Sequence, residues 1–187
     1  MGRVGLTQEK LVVAAADFAD AEGFEVVTMS ALARRFGVRT ASLYSHVAST
    51  ADLKAQIAVL ALGELAERAG AALAGRARSD ALLGFAGAYR DYARRHPGRY
   101  AATRYPLPPH LLAAGRAHAE LTFAVLRGYG LGAEDSTHAV RLIGSVLHGF
   151  TDLELSGSFS YTDPPSEESW ARVIEALDVT LTQWGRG

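Results

Sequence analysis

The stretch Ala33-Arg34-Arg35-Phe36-Gly37-Val38-Arg39-Thr40-Ala41-Ser42-Leu43 decides how this chain is read. Ala33, Gly37 and Leu43 stand four and six residues apart. That spacing fits two short helices joined by a tight turn. Ala33 is small where the helices cross closely, Gly37 supplies the positive φ that the turn needs, and Leu43 plugs the gap from the second helix. Leu32, Phe36, Val38 and Val47 supply the apolar surroundings. With Leu43 and Val47 turned inward, Thr40, Ala41, Ser42, Tyr44, Ser45 and His46 face out. These are small or hydrogen-bonding side chains, the types that enter a major groove and meet base edges and phosphates. Between Thr28 and Thr50 lie Arg34, Arg35 and Arg39 and no acid, while Asp17, Asp20, Glu22 and Glu25 precede that window. On spacing alone the segment also fits a plain helical corner. The acid-free window and the exposed hydrogen-bonding set favour nucleic acid.

Outward from this stretch, almost every segment carries the period of a helix. Leu11, Ala14, Ala15, Phe18 and Ala19 form one stripe. Thr28 suits an N-cap ahead of Met29, Leu32, Ala33 and Phe36, and Gly37 stops that helix. Thr40 to Val47 reads as a third short helix. Ser49 or Thr50 caps a fourth, with Leu53, Ile57, Leu60 and Ala61 on its inner face. Later stripes run from Leu82 to Ala93, from Leu112 to Leu126, from Val140 to Phe150 and from Trp170 to Trp184. His96-Pro97-Gly98 and Pro106-Leu107-Pro108-Pro109 break the pattern between them. No strand pattern appears. The expectation is an all-α fold of about nine helices: a three-helix helix-turn-helix unit over 1–50, then a helical bundle over 51–187.

The chain has 187 residues, 49% of them hydrophobic and 21% charged, which suits packed domains and argues against bulk disorder. Its net charge is -1, so nucleic-acid binding needs a local basic face. Of the 19 Lys and Arg residues only Lys10 and Lys54 are lysine, which we read as GC-rich coding and not as function. There is no cysteine, which excludes disulfides, thiolate zinc sites and iron–sulfur clusters and favours the cytoplasm. No apolar run reaches the roughly 18 residues that a spanning helix needs, and no signal-like stretch opens the chain, so no membrane partner is expected.

Thr28-Met29-Ser30-Ala31-Leu32-Ala33, Phe36-Gly37-Val38 and Leu43-Tyr44-Ser45-His46-Val47 together resemble the DNA-binding domain of the tetracycline-repressor (TetR) family, closely over Thr7 to Ile57. His96-Pro97, His148-Gly149-Phe150, Leu153-Glu154 and Gly157 resemble a subgroup whose C-terminal domain carries a Trp-His-Gly signature. The resemblance implies a ligand-responsive transcriptional regulator, in most cases a repressor. Such a homodimer is released from a palindromic double-stranded DNA operator by a small effector. It implies that Thr28, Tyr44 and His46 meet phosphates, that Arg39, Thr40, Ala41, Ser42 and Ser45 face the bases, and that Thr50 offers its amide end to a phosphate. Lys54 would add a further phosphate contact. Two departures stand out: Ala48-Ser49-Thr50-Ala51 lacks the lysine often found there, and the arm before Thr7 holds only Arg3. Both imply fewer phosphate contacts and a shallower salt dependence. They also keep open a second reading, a small-molecule-binding helical protein whose DNA function is lost or indirect.

The bundle offers Phe85, Tyr89, Tyr92, Tyr105, Leu112, Phe123 and Phe150 as pocket walls, with His110, His118 and His148 as polar groups. Each residue taken alone fits an ordinary core residue better than a pocket wall. A largely hydrophobic or aromatic effector is expected. Val140, Gly144 and Leu147, paired with Trp170, Ile174, Leu177 and Leu181, fit a self-complementary four-helix interface, or else packing within one chain. Arg90, Arg94, Arg95, Arg99 and Arg104 read as a solvated basic surface, with an anion site as the sharper alternative. The histidines lack close ligand spacing, so neither metal nor cofactor is expected. No nucleophile elbow, phosphate loop or zinc-protease motif is present, so no enzyme is expected.

Overall fold

The computed structural model describes residues 7–186, so Arg3 and its arm lie outside the described residues. Nine α-helices occur among them: α1 Gln8–Glu22, α2 Met29–Phe36, α3 Thr40–Leu43, α4 Thr50–Leu73, α5 Arg78–Arg95, α6 Pro97–Ala102, α7 Leu112–Leu126, α8 Ala133–Leu155 and α9 Ser166–Trp184. No strand occurs among the described residues, and no helix there is long and apolar enough to cross a membrane.

Two compact units result. The first takes the chain up to Glu64 together with Arg95–Gly115. Its core is Leu11, Ala15, Ala19, Val27, Leu32, Leu43, Val47, Leu53 and Ile57, joined by Ala102 and flanked by Tyr105 and Leu107. This unit is wider than the helix-turn-helix residues, because α6 packs directly on α1. A Cβ at Gly98 would lie 2.0 Å from the Ala19 carbonyl carbon and oxygen, so only glycine permits that approach. The backbone N–H of Arg99 donates to Asp20 (2.8 Å), and its side chain pairs with Asp17 (2.6 Å) and Asp20.

The second unit takes Leu65–Arg94 and Arg116 onward. Its core holds Leu82, Phe85, Tyr89, Tyr92, Val125, Ile143, Leu147, Trp170, Ile174, Leu177 and Leu181. Here α5, α8 and α9 are tied by ions: Arg90 grips Glu154 and Ser166, and Arg94 joins Glu154 (3.0 Å) to Glu167 (2.6 Å). Arg90 and Arg99 correct the reading of a solvated basic surface, whereas Arg94, Arg95 and Arg104 are exposed as that reading expects. Arg90 is 6% and Arg99 7% exposed, and each sits among carboxylates. A buried guanidinium needs such partners, and no sequence stripe reveals them.

Candidate functional site

The helix-turn-helix forms as its spacing predicts. Thr28 Oγ1 accepts the Ala31 N–H at 3.1 Å and so caps α2, while its own hydroxyl proton stays available to an acceptor outside. Gly37 closes α2 in the left-handed region at φ 65°, and the Val38 N–H reaches back to Ala33 O at 3.0 Å. Leu43 is fully buried and Val47 nearly so. Ala41, Ser42, Tyr44 and Ser45 are exposed and Thr40 and His46 half-buried, as the inward turn of Leu43 requires. Tyr44 is 52% exposed.

One expectation is corrected. Regular helix runs only from Thr40 to Leu43, not to Val47, and Tyr44 to His46 form a turn. The cause is local. Ser42 Oγ donates to Arg39 O (2.6 Å) and Ser45 Oγ donates to Ser42 O (2.7 Å), so side-chain hydroxyls compete for the carbonyls that a longer helix would use. Each hydroxyl, having donated its proton, still has lone pairs with which to accept.

The start of α4 is capped by Ser49, whose Oγ accepts the Asp52 N–H (3.0 Å), while Asp52 accepts the Ala48 N–H (2.8 Å). Thr50 follows the cap. Lys54 does not stand free: its Nζ lies 3.3 Å from the Glu25 carboxylate and 4.8 Å from the centre of the Phe24 ring. Arg34 and Arg35 are exposed on α2, and with Thr28 and Ala31 they line a shallow groove of about 540 Å³. Both arginines lie in the acid-free window between Thr28 and Thr50, outside the contacts that the resemblance implies.

The candidate pocket residues separate into groups. Phe85 and Tyr89 of α5 and His148 of α8 come together, and His118 of α7 joins them. The Tyr89 hydroxyl is 3.3 Å from His118 Nδ1, and the Tyr89 ring centre is 5.9 Å from that of His148 and 4.9 Å from that of Phe85. Burial, and then repulsion from His148, push His118 down to about 4. Tyr92 is buried under the Arg68 guanidinium. Phe150 packs at a tilt against Phe159 and Trp170, ring centres 5.0 and 5.1 Å apart, and Arg90 lies over both Phe150 and Trp170. Tyr105 meets Phe24 in the first unit. His110 lines an open groove of about 880 Å³ with Val12, Gln56 and Leu60, also in the first unit. Leu112 and Phe123 are exposed. Helical period could not sort these residues, because an inward position says nothing about which neighbour shares it.

Among the interface candidates, Leu147, Trp170, Ile174, Leu177 and Leu181 are buried within one chain, and Val140 and Gly144 are half-buried. The outward strips carry Arg141, Ser145, Gly149 and Leu153 on α8, and Arg172, Ala176 and Val179 on α9. No group of three or more metal-ligating side chains occurs among the described residues.

Residues 82–177 match the family model of tetracyclin repressor-like C-terminal domains. An uncharacterized HTH-type transcriptional regulator of Mycobacterium tuberculosis is 43% identical over 81% of this chain and 72% of its own. The HTH-type regulator YobS of Bacillus subtilis is 32% identical over 84% of this chain and 83% of its own. Among solved structures, the Streptomyces coelicolor TetR family protein ActR in complex with actinorhodin superposes with a TM-score of 0.70 at 20% identity, covering 97% of this chain and 99% of that one. A TetR variant of Acinetobacter baumannii in complex with minocycline gives 0.68 at 21% identity, covering 97% and 98%. The family match, the regulator relatives and the helix-turn-helix agree: this chain belongs to the TetR family of transcriptional regulators.

Proposed function

We propose that this regulator is a cytoplasmic repressor that holds a palindromic operator as a homodimer and leaves it when a small, largely hydrophobic effector binds the bundle. The observation that carries the DNA half is the exposed set Ala41, Ser42, Tyr44 and Ser45 seated on buried Leu43 and Val47. In this reading residues 1–50 contact DNA. Tyr44, His46 and the Thr28 hydroxyl take phosphates, and Arg39, Thr40, Ala41, Ser42 and Ser45 face bases. Thr50 offers its amide to a phosphate, while Lys54, already paired with Glu25, adds little. Residues 51–187 hold the effector and the dimer contact. The actinorhodin and minocycline complexes of two structural neighbours support a small-molecule effector. The outward strips of α8 and α9 are the faces left for a second copy. Helix α4 passes from the first unit into the second at Glu64–Leu65, so it is the lever by which an effector respaces the recognition elements. The proposed role is regulatory and includes no catalysis.

Selection from random duplex DNA at near-physiological salt tests this reading. An enriched palindrome is expected. Sequence-blind, weak binding would favour the second reading, a small-molecule-binding protein with lost or indirect DNA function, which the pairing of Lys54 with Glu25 supports.

A further inference from the structure

The helix-turn-helix carries more bare positive charge than the contacts assigned to it so far use. Arg34 and Arg35 stand in the last turn of α2, and both are exposed. Among the described residues neither guanidinium pairs with a carboxylate. Other cations of the first unit are engaged. Lys54 pairs with Glu25 (3.3 Å), Arg99 pairs with Asp17 (2.6 Å) and Asp20, and Arg104 lies over the Tyr100 ring, 5.1 Å from its centre.

The two arginines also sit on a continuous surface. Thr28, Ala31 and Arg35 are three and four residues apart, so they stand one above another on α2, and with Arg34 they line the groove of about 540 Å³. Phe18 and Val26 give that groove an apolar wall, and Glu22 of α1 is the acid among its lining residues. Past Arg35, the residues Gly37, Val38 and Arg39 are all exposed, so the surface runs on into the turn before α3. One end of the strip is thus the Thr28 hydroxyl, which the regulator reading gives to a phosphate. The other end is Arg39, which that reading gives to bases. Seven residues of helix set Thr28 and Arg35 about 10 Å apart along α2. Successive phosphates of one strand climb only about 3.4 Å each along a duplex, so the two ends reach different phosphates.

We propose, resting on the regulator reading above, that Arg34 and Arg35 bind backbone phosphates of duplex DNA lying along α2, beyond the phosphate taken by Thr28. The first helix of a helix-turn-helix crosses the DNA backbone, and Ala31 between the two ends has no bulk to hold a strand away. Neither guanidinium has an internal ion pair to break, so each can displace a counterion from the DNA with its full charge. The pair supplies attraction that the lysine-free stretch Ala48-Ser49-Thr50-Ala51 and the occupied Lys54 do not. Glu22 repels phosphate from the far wall, which keeps the strand on the α2 side of the groove. Contacts of this kind position the head without reading sequence.

Fluorescence anisotropy with the full chain tests this on two duplexes, the selected operator and an unrelated sequence, over a series of KCl concentrations. Arg34→Gln and Arg35→Gln should each lower the slope of log affinity against log salt by about 0.9 for every bound head. Affinity for both duplexes should fall by the same factor, about tenfold. Arg34→Lys and Arg35→Lys should keep the slope of the unaltered chain. Cations in a last turn also suit the dipole of their helix, so thermal melting is followed in parallel. A lower melting temperature with an unchanged salt slope would assign the pair to helix stability and overturn the proposal. A loss confined to the operator would make the pair readers of sequence and overturn it too. If the unaltered chain selects no operator yet binds duplex, the regulator reading falls, and the slope on the unrelated duplex still decides for or against the phosphate contacts. If it binds no duplex even at low salt, both fall.

Discussion

Tyr44 projects from the turn after α3 because Leu43 and Val47 on either side of it are buried. Removing its phenol should therefore leave the core intact and remove a hydrogen bond to a charged phosphate, a contact that contributes about 1.5–3 kcal/mol. Tyr44→Ala and His46→Ala are each expected to weaken operator binding about tenfold or more with unchanged helicity, measured by fluorescence anisotropy alongside circular dichroism. Unchanged affinity would remove both from the interface. Gly98 is the opposite case, a residue whose role is entirely internal. Gly98→Ala would drive a methyl group into the Ala19 carbonyl, and crowding of that kind costs about 1–3 kcal/mol or more. A lower urea midpoint should report it. A midpoint equal to that of the unaltered chain would mean that α6 can shift on α1 without cost.

At the scale of elements, the Glu154 carboxylate holds the ends of α5, α8 and α9 together through Arg90, Arg94 and Ser166. Its hydrogen bonds, that with Arg90 first, hold its pKa at about 2, below the usual 4.5. A carboxyl depressed in the folded state contributes stability above its unfolded pKa and loses it as pH falls through the folded one. The bundle should therefore weaken between about pH 4.5 and pH 2. Glu154→Gln should flatten that slope, leaving the part that comes from Glu167, which its hydrogen bond with Arg94 also holds low. It should also cost about 3 kcal/mol at neutral pH, the low end for breaking a buried pair, since Arg90 keeps Ser166 and Glu167 nearby. Thermal unfolding against pH measures both effects. The resemblance of His148-Gly149-Phe150 and Leu153-Glu154 to a subgroup signature pointed at this region, but neither that resemblance nor periodicity gave the partners of Glu154. Stripes of Leu and Ala made the helices legible, and Gly37 made the turn legible, because each is a local requirement. The shortening of α3 escaped because hydroxyl back-bonding by Ser42 and Ser45 leaves no periodic trace. The spread of Tyr105, His110 and Phe150 away from Phe85 escaped because burial pattern names a side of a helix and not the helix opposite.

For the whole molecule, the proposed second copy must meet a face that the single chain leaves open. Leu147, Ile174, Leu177 and Leu181 already fill the chain's own interior, so the interface prediction moves to the outward strips of α8 and α9. Gly149→Glu would place an anion where two α8 helices are proposed to cross. It should yield a monomer in sedimentation and lose operator binding with it, since a palindrome is read by two heads. A dimer that survives Gly149→Glu would place the contact on another surface.

The first unit is assembled from two separated parts of the chain, and that limits how such a regulator can be rebuilt. A head transplanted by cutting after residue 50 would leave behind α6, with Ala102, Tyr105 and Leu107, and would bare the face of α1 that Gly98 and Arg99 cover. A chimera that borrows this operator specificity must therefore carry 95–115 as well as the head. Lineages that exchange heads by recombination at a single junction would inherit a mismatched seam, and drift at Asp17, Asp20 and Arg99 would have to be settled together.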